Sequence, residues 1–443
     1  MEGWYRVVSR AARRAAPLLT TGNSKLARGV RARRNAADRL TAWAREHREA
    51  GRPLLWMHAP SVGEGLQARA VLEALYARGD PPQAVFTHFS PSAEGLAARM
   101  PADFCGVLPW DVTDDAERVM AALRPALLCF TKTEVWPVLA RAARESGAAT
   151  ALVAATLPRG SSRGRWPTRS VLSPTLGALD LLTAVAEADA RRFVALGTRA
   201  EAVHVTGDPG VDSAADRIAA TNPDAPHLRC FQTRPRPTLV AGSTWPADEA
   251  VLIPACIELR RAHPPLRIVV APHEPEEEGM RALEHRLSGA GWRVARLSDL
   301  EQSMAVGRSA RRSGDSLADP DAVVVDRIGM LAELYTVGDV ACVGGGFHAG
   351  GLHSVLEPAA AGVPMVVGPR HQVSHVRALL ERGAARVVGD AASMAVALGS
   401  WISDPAGRDA ARRAGLDYIR DQVGAAARTS ALLFELIKGA EGR

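Results

Sequence analysis

Several short stretches hold the residues able to do chemistry. "HAPSVGEG" closes an apolar run and sets Ser61, Gly63 and Glu64 at the start of a helical pattern. Ser-x-x-Glu in that place is a capping box, which by itself needs no function. A carboxylate at the mouth of a strand-to-helix turn is also a candidate general base. "TKTEVWP" gathers Lys132, Glu134 and Trp136 in one loop. In "AGSTWPADE", Ser243 or Thr244 can cap the next helix or bond a phosphate. "GGGFHAGGLHSVLEPAAAGVP" brings Gly344, Gly345 and Gly346 close to Gly350 and Gly351, ahead of a helix expected to begin near His353 with Ser354 and Glu357 in its first turn. Exposed N–H groups at such a helix start favour an anion. A tight turn followed by an ordinary acidic first-turn residue explains the same letters. His273 and Glu274 follow another apolar run in "APHEPEEE", where a lone histidine is more often a satisfied loop residue than a ligand.

Common alternatives are missing. There is no GxGxxG, GxxxxGK[ST] or HExxH, so a dinucleotide fingerprint, a P-loop and a zincin site are not expected. The one DxD, Asp319-Pro320-Asp321, falls in a Ser/Arg-rich stretch and reads as chance. No metal site is expected.

These residues need strands to end where they stand. Apolar runs fall at 54–59, 84–89, 105–109, 126–131, 149–155, 181–186 and 202–206, and again at 238–242, 267–271, 292–296, 322–326, 340–344, 364–367 and 385–388. Several, such as "RIVVAP", are continuous rather than alternating, which suits strands buried on both faces of a parallel sheet. Helical patterns at 66–78, 136–146, 247–263, 275–289 and 374–383 lie between them. The expectation is an α/β protein with two doubly wound domains, each candidate group lying beyond the carboxyl end of a strand, where such sheets bind ligands. The domains are placed at 51–220 and 238–405, with a Pro-rich linker at 221–237. Residues 303–321 read as a loop, and 406–443 as helices able to cross back to the first domain.

Length and charge agree with this layout. A chain of 443 residues is too long for one ordinary core. The five cysteines are scattered, without CxxC, and read as buried thiols. Net charge is +6, but residues 1–52 hold 13 Arg/Lys against 4 Asp/Glu, leaving 41 against 44 elsewhere. The basic excess is terminal, which argues against a nucleic-acid-binding body. Trp4, Val7, Val8, Ala11, Ala15, Leu18 and Leu19 recur at helical spacing among arginines. Residues 1–50 are therefore read as a basic amphipathic segment that either packs on the body or lies on an anionic membrane surface. It cannot span a bilayer.

In order along roughly residues 54–390, "HAPSVGEG", "TKTEVWP", "VTGD", "AGSTWPADE", "APHEPEE" and "DRIGMLAELYTVGDVACVGGGFHAGGLHSVLEPAAAGVPMVVGPRH" resemble the 3-deoxy-D-manno-octulosonic acid (Kdo) transferases. The resemblance implies a GT-B glycosyltransferase whose two Rossmann-like domains face each other across a cleft. It implies CMP-Kdo as donor, a lipid A precursor as acceptor, no metal, and peripheral attachment at the cytoplasmic face of the inner membrane through the N-terminal segment. It makes Glu64 the catalytic base, with Glu134 beside it and Ser61, Gly63 and Lys132 on the acceptor side. Ser243, Thr244, His273, Glu274, Gly344, Gly345, Gly346, Gly351, Ser354 and Glu357 fall on the donor side, the glycines at the phosphate and Glu357 at the ribose. Two positions depart from the family pattern: His273-Glu274-Pro275 stands where many members have Arg-His-Pro, and Ser354 where many have Asn. The rival readings are a GT-B enzyme of UDP-sugars, such as a lipid-disaccharide synthase or an epimerase, and an inactive nucleotide-sugar-binding or membrane-scaffolding protein.

Overall fold

A computed structural model of the protein describes residues 2–16, 25–232, 234–305, 319–372 and 374–441. Leu18 and Leu19 of the first amphipathic pattern, and 306–318 of the Ser/Arg-rich stretch, lie outside the described residues. The chain divides into two compact units, Met1–Ser213 with Gln422–Arg443, and Ala214–Asp421.

The first unit is built on Leu54–His58 (β1), Gln83–His88 (β2), Phe104–Val107 (β3), Leu127–Thr131 (β4), Ala149–Ala155 (β5), Leu181–Ala184 (β6) and Val203–Val205 (β7). They form one parallel sheet in the order β3-β2-β1-β4-β5-β6-β7. Every residue of β1, β2, β4, β5 and β6 is buried. That is why these runs do not alternate: helices cover both faces. Within β1, Leu54 and Trp56 enter one apolar layer and Leu55 and Met57 the other. Each such side chain contributes about 1.5–3 kcal/mol by leaving water.

The second unit repeats the plan with Thr238–Thr244 (β8), Arg267–Pro272 (β9), Val294–Arg296 (β10), Ala322–Val324 (β11), Val340–Val343 (β12), Met365–Val367 (β13) and Ala385–Val387 (β14), ordered β10-β11-β9-β8-β12-β13-β14 and parallel throughout. All fourteen expected strands form. In each sheet the strand order reverses about one strand. β1 lies between β2 and β4, and β8 lies between β9 and β12. The crevices at those reversals are where doubly wound sheets take ligands.

Three readings of the chain's organisation need correcting. The stretch 221–237 is not a featureless linker. Pro226–Gln232 is a helix whose Leu228 and Phe231 are buried, and His227 Nε2 lies 2.6 Å from Glu333 Oε2 in the second unit. Proline is tolerated at a first helical position, so composition hid a seven-residue helix. The boundary between units instead falls inside the helix Pro209–Ala219. The C-terminal helices also divide. Pro405–Gln422 belongs almost wholly to the second unit and Ala425–Glu441 to the first. There Leu433 and Ile437 join the layer of Leu55, Met57 and Leu72, and the Asp212 carboxylate accepts from the Gly424 and Ala426 N–H groups at 2.6 and 3.0 Å.

Asp319 and Asp321 are not idle. Arg236, Arg260 and Arg293 reach Asp321 at 2.9–3.1 Å, and Arg236 and Arg267 reach Asp319 at 3.3 and 3.5 Å. The DxD is an arginine-bound brace at the start of β11.

The first helix, Glu2–Ala15, turns part of its polar side to the protein. Tyr5 donates to Asp111 at 2.8 Å, Arg6 to Thr113 at 3.1 Å, and Arg13 pairs with Asp115 at 3.2 Å. Trp4 and Val7 are 60% and 65% exposed. No helix among the described residues is long and apolar enough to cross a membrane.

Candidate active site

The first unit's site grows from the two loops that leave β1 and β4. The helix Val62–Tyr76 begins one residue after Ser61, whose carbonyl accepts the Gly65 N–H at 2.8 Å. The expected capping box does not form: the Ser61 hydroxyl makes no capping bond. Glu64 turns away from the helix start and meets Lys132, Nζ to Oε1, at 3.0 Å. An ion pair with an ammonium outcompetes a single bond to a backbone N–H. Lys132, just past β4, has φ +62 and donates its N–H to Val153 at 2.8 Å. A non-glycine residue held left-handed costs of order 1–3 kcal/mol, and such strain gathers at functional sites.

Only one Glu64 oxygen is used by Lys132. The other, Oε2, is buried without a hydrogen-bond partner. Glu134 Oε2 is in the same state. Two orphaned carboxylate oxygens at one strand reversal are an acceptor-rich site awaiting an O–H or N–H donor. Gly63 is exposed, with nothing within 4 Å of where a Cβ would stand. Burial pushes the Glu134 carboxyl above its ordinary value, opposed by Arg163 and Arg33 and reinforced by Glu64.

That shift predicts a pH-dependent cost. A raised folded pKa means the acid form suits the fold. The stability it contributes is complete below the unfolded pKa, roughly 4.3, and is lost as pH rises through the folded value. Glu134→Gln should therefore melt higher than wild type at pH 7, with the gain vanishing toward pH 4. An equal gain at both pH values would assign the effect to something other than ionisation.

His58 supports this loop cluster from below. It is fully buried, its Nδ1 lies 3.0 Å from the Thr87 carbonyl, and its Nε2 accepts from Trp136 at 3.3 Å. Burial holds it neutral, with its pKa lowered to about 3. Trp136 in turn stacks on Phe89, and the buried Arg33 guanidinium sits over Phe89, Trp110 and Trp136 while donating to the Leu108 and Pro109 carbonyls. Thus Arg33, counted in sequence with a basic surface segment, is a buried brace of the loop carrying Glu134.

The second unit's site is more heavily corrected. The helix after the glycines begins at Leu356, not near His353, and spans only five residues. It offers no extended N-terminus to an anion. The loop's own amides are largely committed. Gly345 and Phe347 donate to the Asp248 carboxylate at 2.8 and 3.0 Å, Gly344 to the Gly242 carbonyl, Gly351 to that of His348 and His353 to that of Gly344. Asp248, 1% exposed, supplies from inside the protein an anion that the glycine amides bind. The glycines are required by close chain crossings. A Cβ on Gly344 would lie 2.2 Å from the Ser243 carbonyl oxygen, one on Gly346 2.5 Å from the Gly368 nitrogen, and Gly345 has φ +88.

The other donor-side residues do gather there. Ser243, with φ +53, sits where the β8–β9 register shifts and is the half-exposed hydroxyl of the pair. Thr244 is buried and donates to Glu249 at 3.1 Å, and the residue preceding the helix Pro246–Ala262 is Trp245, so neither hydroxyl caps it. His273 stacks on His353, centroids 4.2 Å apart, and lies tilted against Trp245 at 4.7 Å. Trp245 Nε1 donates to His353 Nε2 at 3.0 Å, and burial lowers the His353 pKa to about 4. Glu274 is exposed, and Ser354 turns back to accept from the Leu356 N–H at 3.3 Å. Glu357 is engaged by Arg217, a partner 140 residues away that sequence gave no reason to expect. Among the described residues no group of three or more His, Cys, Asp or Glu could hold a metal ion.

Similar proteins are known. Residues 28–213 match a family model described as 3-deoxy-D-manno-octulosonic-acid transferase (kdotransferase). A 3-deoxy-D-manno-octulosonic acid transferase of Bordetella pertussis is 29% identical over 387 residues, 85% of each chain. One of Haemophilus influenzae is 24% identical over 86% of each. The chain is thus similar to Kdo transferases along most of its length. Solved structures with this architecture include a UDP-GlcNAc 2-epimerase of Neisseria meningitidis, at TM-score 0.60 and 12% identity over 87% of this chain and 100% of that one. A glycosyltransferase of Rickettsia africae follows at TM-score 0.58 and 10% identity, covering 87% and 98%. At such identities they speak for the fold alone. Glu64 lies in the matched region and carries the unpartnered oxygen, whereas Arg217 stands outside the motifs that carry the resemblance.

Proposed function

We propose that the protein transfers Kdo from CMP-Kdo to a lipid A precursor, with inversion and without a metal. The observation that carries this reading is Glu64: one carboxylate oxygen on Lys132, the other buried and unpartnered, at the strand reversal of the domain that matches the Kdo transferase family model. A sugar hydroxyl of the acceptor donates to Oε2. As its oxygen bonds the anomeric carbon, the carboxylate takes the proton. The carbon–oxygen bond to the CMP phosphate breaks, and its electron pair leaves with the phosphate. Lys132 keeps the carboxylate aimed. On the donor side, Ser243 and the Trp245–His273–His353 stack provide a hydroxyl and ring faces for the nucleotide, and Arg217 a cation beside Glu357.

Incubation with CMP-Kdo and a tetra-acylated lipid A precursor, read by mass, should add one or more Kdo units to the lipid. Turnover of a UDP-sugar with none of CMP-Kdo would defeat the reading.

The membrane part of the proposal rests on Trp4, Val7 and Val8, exposed on a helix whose remaining arginines flank them. Replacing Val7 and Val8 by Glu should weaken binding to vesicles of anionic lipid at least several-fold at low salt. Undiminished binding would remove the first helix from that role.

A further inference from the structure

A cavity in the first unit adjoins the reaction centre. It has a volume of about 350 Å³, at the small end of the ~300–1,000 Å³ common for ligand sites. Trp4 comes to it from the first helix, Val135 and Trp136 from the loop after β4, and Val171 and Leu172 from the helix Thr168–Gly177. Such walls hold water poorly, since a buried water needs two to four polar partners.

Two charged residues mark one part of the lining. Glu134 and Arg163 line the cavity, and Glu134 feels the charge of both Arg163 and Glu64. The cavity therefore begins beside the base. Pro167 and Thr168 also line it, and the adjoining Arg165, Trp166 and Arg169 are exposed, Trp166 by 80%. Tryptophan, with an apolar ring and one N–H, is enriched at interfaces and at membrane boundaries. Trp4, itself a lining residue, is the second exposed one here. An apolar chamber, tryptophans beside it and arginines next to them complement an anionic molecule with a hydrocarbon chain.

We propose that this cavity receives an acyl chain of the acceptor, so that the chain is read by the Trp4–Leu172 walls while the sugar hydroxyl meets Glu64. The inference rests on the acceptor reading above and adds to it how an acylated sugar is preferred over a bare one.

Thr168→Phe fills the cavity from the first turn of a helix without altering Glu64 or Glu134. Wild type should use the tetra-acylated precursor at least tenfold better, in kcat/KM, than the fully deacylated water-soluble disaccharide. The variant should raise KM for the acylated acceptor at least tenfold and leave kcat/KM for the deacylated one within twofold. Equal losses on both acceptors, or no loss on either, would overturn the proposal. Binding of cis-parinaric acid, followed by energy transfer from tryptophan, separates the two readings. If wild type transfers Kdo to neither acceptor but binds the fatty acid, and Thr168→Phe weakens that binding tenfold, the reaction assignment fails and the chain site stands. If the filled variant binds the fatty acid as well as wild type does, the chain site fails whatever the transfer assay shows.

Discussion

Glu64→Gln should fold, bind CMP as wild type does, and transfer Kdo about 10²–10⁴-fold more slowly, the usual weight of a general base. The substitution keeps the shape of the side chain and an oxygen for Lys132, and removes only the ability to take a proton. The lost ion pair is a modest matter for stability, because Lys132 is 43% exposed and solvent screens it. The loss should appear in kcat, since the base acts in the transition state and not in substrate binding. Turnover within a few-fold of wild type would reduce Glu64 to a residue at the start of a helix. The converse change, Lys132→Ala, leaves the carboxylate in place without its guide and is expected to cost less than Glu64→Gln.

The second large effect should come from Asp248, a residue of "AGSTWPADE" to which the sequence assigned no role. The Asp248 carboxylate accepts from Trp245 at 2.9 Å, Gly345 at 2.8 Å and Phe347 at 3.0 Å, and it is buried. Asp248→Ala leaves three N–H groups without a partner, each worth about 1–3 kcal/mol when buried. The glycine loop should then loosen. We expect melting to fall by at least about 6 °C, taking the low ends of about 1 kcal/mol per group and about 2 °C per kcal/mol for a unit of this size, and CMP affinity to drop at least tenfold. Asp248→Asn keeps the bulk but only one accepting oxygen, and should fall between. A normal melting temperature with normal CMP binding in Asp248→Ala would mean that the loop holds itself.

The contrast between these residues shows what a sequence can and cannot display. Buried parallel strands are legible because each is a continuous apolar run, and all fourteen were located that way. Glu64 was legible because it stands at a strand end, in a short motif. Its partner was not: Lys132 is 68 residues further on, and only the pairing of β1 with β4 brings the two loops together. Arg33 was misread as surface charge because a cation buried among Phe89, Trp110 and Trp136 looks, in one dimension, like any arginine of a basic helix. Asp248 was hidden for the same reason, as an ordinary acidic residue in a first helical turn. The glycine loop was over-read. Its glycines were taken as room for a ligand, but Gly344 and Gly346 make room for Ser243 and Gly368 of the chain itself.

The return of Ala425–Glu441 to the first unit has a consequence for how the protein is made. Leu433 and Ile437 close the layer over Leu55, Met57 and Leu72, and Arg428 and Thr429 bind Thr206 at 2.9 Å each. During synthesis at about 5–20 residues per second, the first unit waits roughly 10–45 s for these residues to be translated. The ribosome completes the second unit before the first can finish. Through that interval an apolar strip on Val62–Tyr76 stands open, a natural surface for a chaperone. A nonsense mutation within the codons for Ala425–Glu441 would strike the first unit, the one that carries Glu64.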